Sequence, residues 1–422
     1  MRNLLAISTL WKAASAGLLV GAVSVFSAAG AVAQDAPPPP PPVEGEDAPA
    51  APAAEGEMAQ GTPEACCTCD SCECNGDWCD LGDPWSLSGW LCGECSPIKI
   101  GGWTSIGYHD RANAPLMFNT NPHEISLHQQ WLYAEKVADG ECGLDWGFRF
   151  DVLYGLDGEN TQAFGNPPGT WDFQNGFDHG IYHWAIPQLY VEVASGDWRI
   201  KAGHFFTPAG YEVVAATGNF FYSHTFTHVY SEPFTHTGVL GEYQAGENLT
   251  LYGGWTAGWD TAFERFNDGD NSDGSNFIGG FAYTLSEGTT FTYITTVGDL
   301  GWRSEGYTHH VVLSSELSDE WQMVLGHDLV ETNFPGDHQY SLYGNLFYTV
   351  NDCLKYGIRG EWWKVGNDSL YDITVGVNYR PHANLVIRPE YRYQWADGEA
   401  TATALGIPTD VGIFGIDAVL SY

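Results

Sequence analysis

The stretch NLVIRPEYRYQW, residues 384–395, decides how this chain folds. Leu385, Ile387, Pro389, Tyr391, Tyr393 and Trp395 share one parity; Val386, Arg388, Glu390, Arg392 and Gln394 share the other. A period of two belongs to a β-strand, whose successive side chains point to opposite faces. The last eleven residues, GIFGIDAVLSY (412–422), repeat it imperfectly. Tyr422, Leu420, Ala418, Ile416 and Phe414 carry no charge, whereas Ser421, Asp417, Val419 and Ile413 are mixed. In water such an apolar edge strand would aggregate. Lipid over the apolar face and a neighbouring strand along the edge remove that liability.

The rest of the chain from Ser96 has the same texture. Alternating segments fall at 98–108, 125–137, 143–155, 186–195, 198–206, 235–244, 249–259, 276–285, 289–298, 307–317, 321–331, 338–350, 354–365, 369–380, 384–395 and 411–422. Connections after even-numbered segments are tight, as in SGD, AGEN, SEGT and VND; those after odd-numbered ones are mostly longer, notably 109–124, 156–185, 207–234, 260–275 and 396–410. Tight turns on one rim and long loops on the other describe an outer-membrane barrel. A β-sandwich does not sort its loops by parity. The expected fold is all-β: a transmembrane, antiparallel, up-and-down β-barrel of about 16 strands.

Export fits this. Arg2 and Lys12 precede the apolar run AASAGLLVGAVSVFSAAG and then Ala31-Val32-Ala33, so residues 1–33 read as a signal peptide cut before Gln34. Its removal leaves 14 basic against 53 acidic residues, a net charge of −39. That charge makes nucleic acid and anionic headgroups poor partners. No second run of about 18 apolar residues follows, so a membrane must be crossed by strands. Residues 34–65, with six consecutive prolines, form an extended Pro/Ala/Glu-rich linker.

Residues 66–95 are a Cys-rich periplasmic module, and 96–422 the barrel. Cys66, Cys67, Cys69, Cys72, Cys74, Cys79, Cys92 and Cys95 form an even, dense set that reads first as a disulfide knot. Cys69/Cys72 and Cys92/Cys95 also have zinc-ligand spacing. Cys142 and Cys353 lie in turns after strands 2 and 12, too far apart around such a barrel to bond each other. Either is placed to tether the Cys-rich head to the rim.

Charge in mid-membrane on the lipid face costs about 2–4 kcal/mol for Arg or Lys, so charged parities must point into the lumen. That makes Arg149, Arg199, Lys201, Lys355, Arg359, Glu361, Arg380, Arg388, Glu390 and Arg392 candidate pore-lining residues, in two patches on strands 3 and 5 and on strands 13–15. Such residues select small solutes and ions as charged rings do in pores, or pair with neighbouring acids such as Asp151 and Asp372. The loop 207–234, TPAGYEVVAATGNFFYSHTFTHVYSEPF, is too apolar to wave in water. It supplies Glu212, His224, His228 and Glu232 as candidate constriction residues, with Glu212 and Glu232 expected to face the basic wall. His224, His228 and His236 lack a companion carboxylate in ligand spacing, so no metal is assigned. In ERFNDGDNSDGSN (264–276), Gly274 comes one place late for a calcium loop and no Glu closes it. No nucleophile elbow or metalloprotease motif appears, so no catalytic residue and no cofactor are assigned.

LGDPWSL (81–87), IGGWTSIGYH (100–109), KAGHFFTPAGYE (201–212) and the C-terminal aromatic strand, in that order, make residues 81–422 resemble the β-barrel porins of planctomycete outer membranes. The resemblance implies that the third long loop folds inward and narrows the channel. It also implies that the last strand and its terminal aromatic are presented to the barrel-assembly machinery. A homotrimer is usual for porins of sixteen strands, although no stretch here marks a contact patch. The expected function is passive diffusion of small hydrophilic solutes and ions across the outer membrane. The alternative is a non-conducting structural or adhesive barrel, anchoring the envelope through its Cys-rich module.

Overall fold

A computed structural model of the chain describes residues 79–92, 96–263 and 274–422. Residues 1–33 and 34–65, read from the sequence as a signal peptide and a linker, together with Cys66, Cys67, Cys69, Cys72, Cys74, Cys95 and most of the acidic loop 264–276, lie outside the described residues. Sixteen strands form one sheet. The first eight are β1 (Lys99–His109), β2 (Ser126–Lys136), β3 (Asp145–Gly155), β4 (His183–Ser195), β5 (Trp198–Phe206), β6 (Thr235–Gln244), β7 (Leu249–Trp259) and β8 (Ser275–Ser286). The second eight are β9 (Thr289–Asp299), β10 (Glu305–Glu316), β11 (Trp321–Thr332), β12 (His338–Asn351), β13 (Leu354–Val365), β14 (Asp368–His382), β15 (Leu385–Ala396) and β16 (Asp410–Ser421).

Every strand pairs antiparallel with its neighbour in sequence, and β1 closes on β16 from Trp103 opposite Ser421 to His109 opposite Gly415. Closure satisfies the backbone of both edges, which lipid could not. The expected strand count, order and pairing are therefore those observed, with strand ends within a few residues.

Parity carries through to the faces. On β16, Phe414 and Leu420 are exposed on the outside, whereas Val411, Ile413, Asp417 and Val419 are buried inside. The outer belt is apolar, with Val191, Val239, Leu325, Ile358 and Ile373. Exposed aromatics flank it: Trp146, Trp198, Trp321 and Tyr379 toward the tight turns, and Trp184, Tyr307 and Tyr393 toward the long loops. Amphipathic rings at both edges of an apolar band are the girdles of a membrane barrel.

The segment before β1 runs along the tight-turn rim. Cys79 is bonded to Cys353 in the β12–β13 turn, across 274 residues of sequence. Ala383 N–H donates to Leu81 O (2.8 Å), and the Asn384 side chain bonds both Trp85 N (3.0 Å) and Trp85 O (2.7 Å). Trp85 stacks on Tyr422 with centroids 6.1 Å apart. A short helix, α1 (Leu87–Leu91), capped by Ser86, then leads to β1. Cys92 and Cys142 are free and exposed. Among the described residues of the Cys-rich head, Cys79 is bonded at the rim, and its partner is a barrel cysteine rather than another member of the module.

Candidate functional site

The loop 207–234 enters and leaves the barrel wall through one neck, where Thr207 N–H donates to Phe234 O (2.9 Å). Between those points it crosses the lumen. Its apolar residues Val213, Val214, Ala215, Phe226, Val229 and Tyr230 form one buried cluster with Trp103 and Trp131 of β1 and β2 and with Trp363 and Leu370 of β13 and β14. Burying such side chains stabilises by about 1.5–3 kcal/mol each, which is why this loop leaves water.

The polar half of the docking falls on the wall of β13–β16. Arg359 donates from Nη1 to Glu212 Oε1 (2.8 Å) and Ser223 O (2.7 Å), and from Nη2 to Ser223 Oγ (3.1 Å). Arg388 donates from Nη1 to Ala216 O and Asn219 O, both at 2.7 Å, while its Nε holds Asp417 Oδ1 (2.8 Å). Arg392 Nη1 donates to His224 O (2.7 Å), and its Nη2 lies 3.0 Å from Asp372 Oδ2. Glu390 accepts from Tyr222 N (2.9 Å) and Ser223 N (3.1 Å). Glu361 accepts from Phe226 N (2.7 Å) and Thr227 N (2.6 Å), the first N–H groups of a helical turn at Phe226–Tyr230. A carboxylate there meets unpaired donors and the positive end of the local dipole.

On the same side of the barrel, separated from β16 by β1, β2 also holds the loop. Gln129 donates to Val214 O (2.7 Å) and accepts from Ala216 N (2.9 Å), and His128 Nε2 lies 2.6 Å from Tyr222 Oη. Glycines on the inner wall make room for the aromatic run. A Cβ at Gly357 would collide with the Phe220 ring, and one at Gly107 with Tyr222. These close approaches need hydrogen at those positions.

Arg359, Glu361, Arg388, Glu390 and Arg392 thus point into the barrel as parity requires. They do not line open water, because loop 207–234 covers them; Arg359 is 0% exposed and Arg388 2%. A buried guanidinium needs carbonyl and carboxylate partners, and the loop backbone provides them. Lys355 is half-buried and Arg380 exposed near the tight-turn rim.

The four constriction residues also divide. Glu212 meets the basic wall. Burial opposes its ionisation, but Arg359 beside it and the nearby His224 hold its carboxyl well below the usual range. Glu232 lies 3.1 Å from His228 Nδ1 and beside Asp328, an inward residue of β11. His224 stacks on His228 with centroids 4.7 Å apart. Burial lowers the pKa of His228, favouring its neutral form. Among the described residues, no group of three or more His, Cys, Asp or Glu is arranged to hold a metal.

The remaining three cations gather elsewhere. Arg149, Arg199 and Lys201 line a recess of about 180 Å³ at the tight-turn end, roofed by Trp103, Trp131, Phe206 and Ala215. Glu135, Asp151, Glu192 and Glu242 share its lining. Arg149 is bound to Glu135 (2.6 Å) and to Asp151 (2.6 Å). Periodicity did not single out His128, Gln129 or Arg303. Arg303, buried in the β9–β10 connection, donates to Tyr230 O (2.7 Å) and pairs with Asp337 (3.2 Å). The signal for Gln129 was an uncharged polar residue two places before Trp131 on the inward parity.

A closed sixteen-strand barrel with aromatic girdles and a third long loop packed inside defines the porin class of outer-membrane proteins. Residues 97–422 match the model of the family described as beta-barrel porin-2, OmpL-like, and the chain belongs to that family. Among solved structures, it is similar to an anion-selective porin from Comamonas acidovorans, with 10% identity and a TM-score of 0.54, covering 77% of this chain and 99% of that one. It is also similar to the outer membrane channel DcaP of Acinetobacter baumannii (10% identity, TM-score 0.49, 77% and 97% covered). OmpT of Vibrio cholerae is a third (12% identity, TM-score 0.47, 77% and 97% covered). At these identities the likeness is one of fold. Among curated proteins none matches the chain.

Proposed function

We propose that this porin is a channel through which small hydrophilic solutes and ions cross the outer membrane by diffusion. The observation behind this reading is the recess at the tight-turn mouth, where ionic side chains of both signs stand around a cavity of about 180 Å³ inside a closed barrel. An ionic lining inside an apolar belt suits water and solutes and excludes lipid. In the proposed topology the tight turns face the periplasm, so the recess is the periplasmic vestibule and loop 207–234 the restriction above it. The signal peptide delivers the chain to the assembly machinery, and the net charge of −39 biases the mouths toward cations at low salt.

Purified protein in a planar bilayer should give discrete conductance steps in KCl, with a cation-favouring reversal potential that weakens as salt rises. The tight packing of loop 207–234 between Trp131 and Trp363 favours a second reading, a barrel held shut as a structural element of the envelope. Absence of steps at any voltage from correctly folded protein would select that second reading.

A further inference from the structure

The tight-turn recess carries a feature that ion passage alone does not require. Of its lining, four side chains are acidic and four basic, so it has no net charge. A purely anionic or purely cationic ligand would gain nothing there on balance. Most of these charges are already committed. Arg149 is closed by two carboxylates, Lys136 holds Asp145 at 2.8 Å, and Glu192 accepts from Ala138 N at 2.7 Å.

Arg199 and Glu242 differ. They stand directly opposite each other on β5 and β6, so their Cα atoms are separated by one inter-strand step of about 4.5–5.5 Å. Neither forms an ion pair with the other or with any further described residue. Arg199 spends one N–H on Ala138 O (3.2 Å). A guanidinium offers five N–H donors, and a carboxylate about four acceptor sites. A matched donor fork and acceptor therefore stand side by side at a recess, unclosed. Above them lie the rings of Trp103, Trp131 and Phe206.

We infer that the recess is a binding site for a zwitterionic α-amino acid with an apolar side chain. Its carboxylate lies on Arg199, its ammonium on Glu242, and its side chain points toward the tryptophan-lined roof. The class follows from geometry: an α-amino acid carries its two charges on one carbon, and the wall presents the complementary pair on neighbouring strands. A neutral sugar would leave both charges unpaired. A larger peptide exceeds a cavity of this size. The inference names a solute class for the channel proposed above, but the site is read out separately from conduction.

The test uses the full-length mature protein in detergent with four probes: L-phenylalanine, 3-phenylpropionate, phenethylamine and glucose. Equilibrium dialysis gives affinity, and planar-bilayer recordings in KCl give conductance with and without each probe. L-Phenylalanine should bind, with each single-charge analogue and glucose weaker by about tenfold or more, the loss of one charge-assisted contact. R199Q should weaken phenylalanine and phenylpropionate while sparing phenethylamine. E242Q should weaken phenylalanine and phenethylamine while sparing phenylpropionate. If R199Q does not fold, R199K, which keeps the charge but loses the donor fork, serves instead and should bind phenylalanine and phenylpropionate more weakly than the parent while sparing phenethylamine. Equal affinity for all four probes, or variants that bind phenylalanine as the parent does, overturns the site. Binding with the crossed pattern in a protein that passes no current would leave the site standing and remove the channel; conductance without selective binding does the reverse.

Discussion

Arg359→Gln is the most informative single change in the lumen. In the parent the guanidinium is fully buried and joins Glu212, the Ser223 carbonyl, the Ser223 hydroxyl and Thr374 Oγ1 (3.2 Å), with its Cζ 4.9 Å from the centroid of the Phe221 ring. Removing one member of a buried pair costs about 3–5 kcal/mol, chiefly because the other charge is left unpaired. Here that charge is Glu212, which also accepts from Thr225 N (2.8 Å) and so holds the turn leading to the helix at Phe226–Tyr230. The damage is local to the loop, since the sheet ladder does not pass through Arg359's side chain. We expect R359Q to keep its barrel but to show larger, noisier conductance and faster proteolysis within 207–234.

The pH dependence supplies a sign. In the parent, the Glu212 carboxyl titrates well below its unfolded value of about 4.3, so its contribution is present above that pH and is lost only in strong acid. In R359Q, burial is opposed chiefly by the nearby His224 and His228 and lifts the carboxyl. The unpaired charge therefore loosens the loop most at neutral and higher pH, and the loop should tighten as pH falls through the mildly acid range and Glu212 takes up a proton. Conductance noise recorded from pH 8 to pH 4 checks this. The double variant E212Q/R359Q should be less perturbed than the sum of the singles. Parent-like noise and proteolysis in R359Q at every pH would refute the claim that this arginine clamps the loop.

Three further outcomes are expected. Non-reducing peptide mapping should recover Cys79 linked to Cys353, and C353S should lower thermal stability and free the segment at 79–92 to proteases; a Cys142–Cys353 peptide instead would contradict the strand order. Asp172, buried in the β3–β4 loop, has its carboxyl pushed up to about 7 by burial against the two backbone N–H bonds that favour its charge. Its folded value is raised, so stability should fall as pH rises from about 4 to about 7, and D172N should flatten that slope in hydrogen exchange of residues 156–182. In intact cells lacking the free cysteines, an impermeant thiol reagent should label F177C but not D319C, and the reverse would invert the topology.

What the sequence determined by itself is the sheet. Strand count, order and facing follow from local rules: period-two alternation at Leu385–Trp395, tight turns after even strands, and the prohibition on charge in lipid that sends Arg388, Glu390 and Arg392 inward. Each of these needs only neighbours within one strand or one hairpin. The inward loop was legible as a loop too apolar for water, and as an implication of family resemblance. What only tertiary structure decided is what the inward charges do. Parity says that Arg359 and Arg149 both enter the lumen, but not that one is sealed beneath Ser223 and Phe221 while the other borders an open recess. The difference depends on where residues 207–234 settle, and so on contacts across 136 positions of sequence between Ser223 and Arg359. The same holds for Cys79, whose eight-cysteine surroundings suggested a self-contained knot. Its partner Cys353 is brought within reach only when the barrel has closed and the preceding segment lies along its rim.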